Sequence, residues 1–193
     1  MLSSFFSKIR LILGDQTLLK RLLFILGAFV VFRFLATIPI PGINTVALEQ
    51  FFSNNQFFGF LNIFSGGGLA NLSIVMLGVG PYITASIVMQ LITVMWPRVK
   101  EMYQEEGEAG RARFSQYSRL LTFPFALLQG SSLLLLLRSQ GILSALTWFD
   151  LAVGLCVIVA GSMLLMWIGE LITEYGIGNG VSLIIFAGIV AGL

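Results

Sequence analysis

The chain has no histidine and one cysteine in 193 residues. Without histidine, Ser-His and Cys-His nucleophilic catalysis and most zinc chemistry fall away. Cys156 lies in an apolar run, cannot form an intrachain disulfide, and reads as a small packing residue. The two aspartates, Asp15 and Asp150, both sit near the ends of apolar runs, so the carboxylate pair of an intramembrane aspartyl protease is missing too. The expectation is a protein that is not an enzyme and needs no cofactor or metal. Charge is scarce: Asp, Glu, Lys and Arg make up 10% of the chain, against roughly 25% in a soluble domain. The net charge of +2 is too small to point to nucleic acid, and no Lys or Arg occurs between Phe34 and Pro97.

What remains is apolar. Hydrophobic residues are 57% of the chain, more than water-facing surface can accommodate, so lipid is the expected solvent. A spanning helix needs about 20 mostly apolar residues. Leu22–Ile38, Leu72–Trp96, Leu120–Leu137 and Leu151–Gly169 qualify, the first with one internal charge, Arg33. Pro39-Ile40-Pro41-Gly42, rather than a small-residue cleavage site, follows the first run, which is therefore expected to be a retained span. Val181–Leu193 starts a fifth run of 13 residues, enough for roughly 20 Å of a core about 30 Å thick. That shortfall predicts a truncated chain or fragment whose second half lies elsewhere.

Orientation follows from the basic residues. Lys8, Arg10, Lys20 and Arg21 precede the first span, and Arg98, Lys100, Arg111, Arg113 and Arg119 follow the second. The N-terminal segment 1–21 and the loop 97–119 are thus predicted to be cytoplasmic. The turn holding Glu170 and Glu174 joins them by helix count alone. The loop reads either as a solvated, orientation-fixing stretch or as a docking surface. Arg33, near the outer end of its span, reads either as snorkelling to headgroups or as facing the bundle interior.

Two segments depart from plain spans. Gln56–Gly68 is apolar and aromatic but too short to cross, which suggests a re-entrant or interfacial helix ending at Gly66-Gly67-Gly68. In the second run, Gly78, Gly80 and Pro81 predict a kinked or loosened helix. Val79, Ile83, Ser86 and Gln90 fall on one face, apolar at one end and polar at the other. Gln90 is expected to find an interhelical partner or to line a hydrated path.

Several stretches carry a resemblance. Ile38-Pro39-Ile40-Pro41-Gly42 follows the Arg-bearing first span, and Asn62-Ile63-Phe64-Ser65-Gly66-Gly67 precedes Leu77-Gly78-Val79-Gly80-Pro81-Tyr82-Ile83-Thr84-Ala85-Ser86-Ile87. Glu105-Glu106-Gly107-Glu108-Ala109-Gly110-Arg111 comes next, then Met166-Trp167-Ile168-Gly169-Glu170 and Ile172-Thr173-Glu174-Tyr175-Gly176-Ile177-Gly178-Asn179-Gly180. Taken in order, these resemble the first half of the SecY/Sec61α family of protein-translocation channels. The resemblance implies an all-α polytopic bundle, the N-terminal five-helix half of a channel that threads unfolded polypeptides across the membrane and releases apolar segments sideways into lipid.

It further implies a pore ring at Val79, Ile83, Val181 and Ile185, where the family often has isoleucine throughout. It implies a plug over about 56–66, carried by Phe57, Phe58, Phe60, Leu61, Asn62, Ile63 and Phe64. Thr84, Ile87, Gln90 and Leu91 would border the lateral gate, and Arg98, Lys100, Arg111 and Arg113 would mark the cytoplasmic loop. A ring of aliphatic side chains offers water no fixed partner, so it can dewet when empty and yield to a passing chain. The implied partners are the C-terminal half of the channel, SecE and SecG, SecA or a ribosome, signal peptides and nascent chains. The implied location is the bacterial cytoplasmic membrane with the N-terminus inside. The main rival is half of an inverted-repeat secondary transporter, which would need ionisable or densely polar residues where the predicted constriction is apolar. A self-sufficient homodimer would need both membrane orientations, and the basic residues favour one.

Overall fold

The computed structural model describes residues 15–40, 68, 69, 71–104, 107–143 and 147–191. Within them the chain forms six helices and no named strand: α1 (Gln16–Ala36), α2 (Gly80–Met95), α3 (Pro97–Gln104), α4 (Gly107–Ser139), α5 (Trp148–Tyr175) and α6 (Gly180–Ala191). The predicted plug lies outside the described residues.

The helices begin where the chemistry of their first turns allows. Asp15 caps α1, its Oδ1 accepting from the Thr17 amide at 2.9 Å. At the head of α5, the Asp150 amide donates to Thr147 Oγ1 at 3.3 Å while the Thr147 amide donates to Asp150 Oδ2 at 3.0 Å, a reciprocal capping box. Asp150 is thus a helix cap. In α2, Pro81 sits in the first turn, where a missing N–H costs little.

The start of α2 differs from the sequence expectation. Leu72–Val79 is a run of turns, not helix. Three-residue turn bonds run from Met76 N to Ser73 O (2.9 Å), Gly78 N to Val75 O (2.8 Å) and Gly80 N to Leu77 O (3.2 Å). Ile40 N donates to Leu72 O and Ile74 N to Ile38 O, pairing the chain on either side of the Pro39–Ser73 bridge. Hydropathy cannot separate a buried apolar turn from an apolar helix. Leu72, Ser73, Val75, Met76 and Val79 are all buried, so protein surrounds this irregular backbone and its own bonds satisfy it.

The stretch 97–119, expected as a loop, is helical in its described part: α3 and the first turns of α4, with the Tyr103 and Phe114 rings 4.8 Å apart. α4 then continues through Pro124 as one helix of 33 residues, about 50 Å long. Its buried residues Ser118, Thr122, Ala126, Gly130 and Leu134 step by one turn along a single stripe. α4 packs mainly against α2 and α5, while α5 also packs against α6 and α1. α5 is therefore the central element, buried at Gly154, Ile158, Gly161, Ser162, Leu165, Gly169 and Ile172 among others.

α4 and α5 are long and apolar enough to cross a membrane, and α2 and α6 are shorter apolar helices. Large apolar side chains line the outside, with Val94 at 83% and Met95 at 81% exposure. Exposure on that scale suits a face covered by lipid or by another protein. Arg33 is exposed, and its guanidinium donates to the Ala191 carbonyl of α6 at 3.5 Å.

Candidate functional site

The four predicted ring residues come from two regions about a hundred positions apart, and the structure brings them into one apolar cluster. Val79, 4% exposed, belongs to it with Ile25, Phe32, Val75, Leu165, Ile172 and Ile184, and Ile83, Val181 and Ile185 pack against it.

Two clefts meet at this cluster. One, of about 670 Å³, is lined by Leu69, Met76, Leu77, Val79, Gly80, Ile83, Thr84, Leu128, Gln129, Ser132, Leu133, Leu136 and Ile185. It is largely apolar. The other, of about 640 Å³, is bordered by Ser86, Gln90, Ser115, Arg119, Glu170, Thr173, Glu174, Asn179 and Ser182 together with Ile83, Val181 and Ile185. It is much more polar. Ile83 and Ile185 border both clefts, so the aliphatic pair stands where the two meet.

The four predicted gate residues divide. Thr84 faces the apolar cleft; its hydroxyl donates to the Gly80 carbonyl at 3.1 Å and accepts from Gln129 Nε2 at 3.2 Å. Ile87 and Gln90 border the polar cleft, and Leu91, 58% exposed, lies on the outer surface of α2. Of the four basic loop residues, Arg98 stands at the start of α3 beside a third, apolar cleft lined by Met89, Ile92, Met102, Leu120, Leu121 and Pro124. Lys100, Arg111 and Arg113 are exposed on α3 and the first turns of α4.

Sequence reasoning missed three features. The first is an ion pair across the polar cleft: Arg119 Nε on α4 donates to Glu170 Oε1 on α5, and Ser115 Oγ approaches the same oxygen at 3.5 Å. Glu170 is only 15% exposed, and a carboxylate near a span end with no basic residue in its own turn was the available clue. The second is Gln129, reaching from α4 to Thr84. The third is Ser162 on α5, fully buried, whose hydroxyl donates to the Gly78 carbonyl at 3.2 Å.

The pair offers a stability test. Arg119 is 45% exposed, so water screens much of the attraction. A double-mutant cycle with Arg119→Gln and Glu170→Gln, read by thermal unfolding in detergent, is expected to give a coupling of about 1 kcal/mol that shrinks in high salt. Additive effects would show that the pair contributes nothing.

The SecY family model matches residues 73–193. The chain is 45% identical over 182 residues to the protein translocase subunit SecY of Pseudomonas aeruginosa, covering 93% of this chain and 41% of the relative. It is 40% identical over 205 residues to the subunit of the same name from Mycobacterium tuberculosis (99% and 45% covered) and 47% over 175 residues to that of Synechocystis (90% and 39%). It therefore spans less than half the length of these curated relatives. Its fold is similar to that in a solved structure described as a protein conducting channel, with a TM-score of 0.61 at 22% identity over 86% of this chain and 35% of that one. The match to Sec61 in a canine ribosome-channel complex from the endoplasmic reticulum has the same values. The fold is a bundle of helices, two of them long and apolar enough to cross a membrane. The chain belongs to the SecY family.

Proposed function

We propose that this chain forms the N-terminal half of a protein-conducting channel in a bacterial cytoplasmic membrane, and that Val79, Ile83, Val181 and Ile185 line its constriction. The observation that carries this reading is the position of Ile83 and Ile185 between an apolar and a polar cleft. Aliphatic side chains at the narrowest level exclude water and ions when no chain is present, and they grip no particular sequence when one passes. A small-solute transporter needs fixed polar partners at that level, and these four side chains offer none.

In this reading residues 1–21, the α3–α4 junction and the α5–α6 turn face the cytoplasm, as the basic residues favour. The polar cleft is then the cytoplasmic entrance. Thr84, Ile87, Gln90 and Leu91 lie along the sideways exit for apolar segments, and residues 56–66 form the plug. Arg98, Lys100, Arg111 and Arg113 offer a basic surface to SecA or a ribosome. The C-terminal half, SecE and SecG would complete the assembly, with signal peptides and nascent chains as its clients.

A photo-crosslinker placed at Ile83, in cells that also supply the C-terminal half, is expected to capture a stalled secretory chain, while one at Val94, on the outside of α2, is not. No adduct at Ile83 would remove the constriction from the pathway. A solute-dependent rise in melting temperature would favour the transporter instead. Cysteine labelling from both sides checks orientation, with a cysteine at Lys100 expected to react only from the cytoplasm.

A further inference from the structure

The backbones of α2 and α6 do not approach each other closely, so the spacing between the two sides of the constriction is set through another element. α5 contacts both. On one side, buried Ser162 donates to the carbonyl of Gly78, the residue before Val79, at 3.2 Å. On the other, Thr173 Oγ1 accepts from the amide of Gly180, the residue before Val181, at 2.8 Å, and donates to the Gly169 carbonyl at 2.9 Å. Both ring valines thus follow a glycine whose backbone is bonded to a hydroxyl of α5. Ser162 and Thr173 are eleven positions apart, close to three whole helical turns, so they share one face about 16 Å apart along the axis.

The contacts around each bond are close. A Cβ at Gly161 would overlap the Ile74 carbonyl oxygen, and a Cβ at Gly180 would overlap the Gly169 carbonyl oxygen. Asn179 Oδ1 also accepts from the Ser182 amide at 3.1 Å, capping α6 at the turn where Thr173 grips it. Each side of the ring is therefore seated by backbone contact and pinned by one hydroxyl.

We infer that Ser162 and Thr173 are positioning residues that set the width of the constriction, with α5 as the rigid spacer between its two sides. Ser162 borders neither cleft and Thr173 borders only the polar one, and both act through the backbone that carries the ring. The inference rests on the reading of the ring as the resting barrier. It makes leakiness of the closed channel depend on two hydroxyls outside the ring.

The test uses the assembled channel, this chain with its C-terminal half and partner subunits, reconstituted in proteoliposomes. Ser162→Ala and Thr173→Val are each expected to raise resting ion leak about fivefold, the population shift corresponding to loss of one hydrogen bond. Thr173→Ser keeps the hydroxyl and is expected to leak like the parent. Spin labels at positions 83 and 185 should show a broader distance distribution in the first two variants only. If Ser162→Ala fails to accumulate, Thr173→Val and Thr173→Ser carry the comparison alone. Parental leak in Thr173→Val, or equal leak in Thr173→Val and Thr173→Ser, overturns the inference. A parent channel that crosslinks secretory chains at Ile83 while these variants leave leak unchanged defeats the inference alone; a parent that never crosslinks defeats the channel reading itself.

Discussion

Replacing Gly161 by alanine is expected to lower the melting temperature in detergent by about 10 °C, corresponding to about 3 kcal/mol. The added methyl carbon would overlap the carbonyl oxygen of Ile74, and Val75 Cγ1 lies 3.4 Å from it on the same side. That carbonyl belongs to the buried run of turns before α2, which cannot retreat without breaking its short bonds between Ser73 and Gly80. α5 cannot retreat either, since α1, α4 and α6 surround it. Gly27→Ala supplies the control. Gly27 is in exposed mid-helix with nothing within 4 Å of the new carbon, and alanine there is expected to be neutral or to stabilise by about 0.5–1 kcal/mol. Equal melting temperatures for the two variants would mean that α5 and the turn segment do not meet closely.

The same region shows where the sequence could be read and where it could not. α4, α5 and α6 were legible because long apolar runs bounded by charge, glycine or a cap have few alternatives to helix. Leu72–Val79 misled because its composition is as apolar as a span's. Gly78, Gly80 and Pro81 carried a warning, and the helix starts at Gly80 rather than bending near Pro81. Residues 97–119 misled in the opposite sense. Their charges suggested a solvated loop, yet Glu, Lys, Arg and Met are good helix formers, and the Tyr103–Phe114 contact that ties α3 to α4 is tertiary. The meeting of Val79 and Ile83 with Val181 and Ile185 was legible only through family resemblance, since no local pattern joins residues a hundred positions apart. The Ser162–Gly78 bond was not legible at all. A serine in an apolar helix has many uses, and its partner here is a backbone carbonyl that any residue could present.

Changing Ile83 and Ile185 together to asparagine is expected to raise the resting ion conductance of the assembled channel by about tenfold or more. Among the described residues, these two side chains alone border both clefts. An amide gives water a bonding partner worth about 1–3 kcal/mol where an aliphatic group gives none, and 1.4 kcal/mol is a tenfold change in occupancy. Two amides at one level should therefore turn a dry constriction into a wetted one. Neither isoleucine is fully buried, so the amides can reach solvent and the fold should tolerate them better than it tolerates a methyl group at Gly161. Ile83→Leu with Ile185→Leu keeps the level aliphatic and is expected to conduct like the parent. Melting temperature separates the two causes of leak: a polar ring should conduct while its unfolding transition stays near the parental value, whereas a misfolded one should lose both. Parental conductance in the double asparagine variant, where the parent channel does crosslink a secretory chain from position 83, would place the ion barrier elsewhere, and residues 56–66 would then be the segment to test.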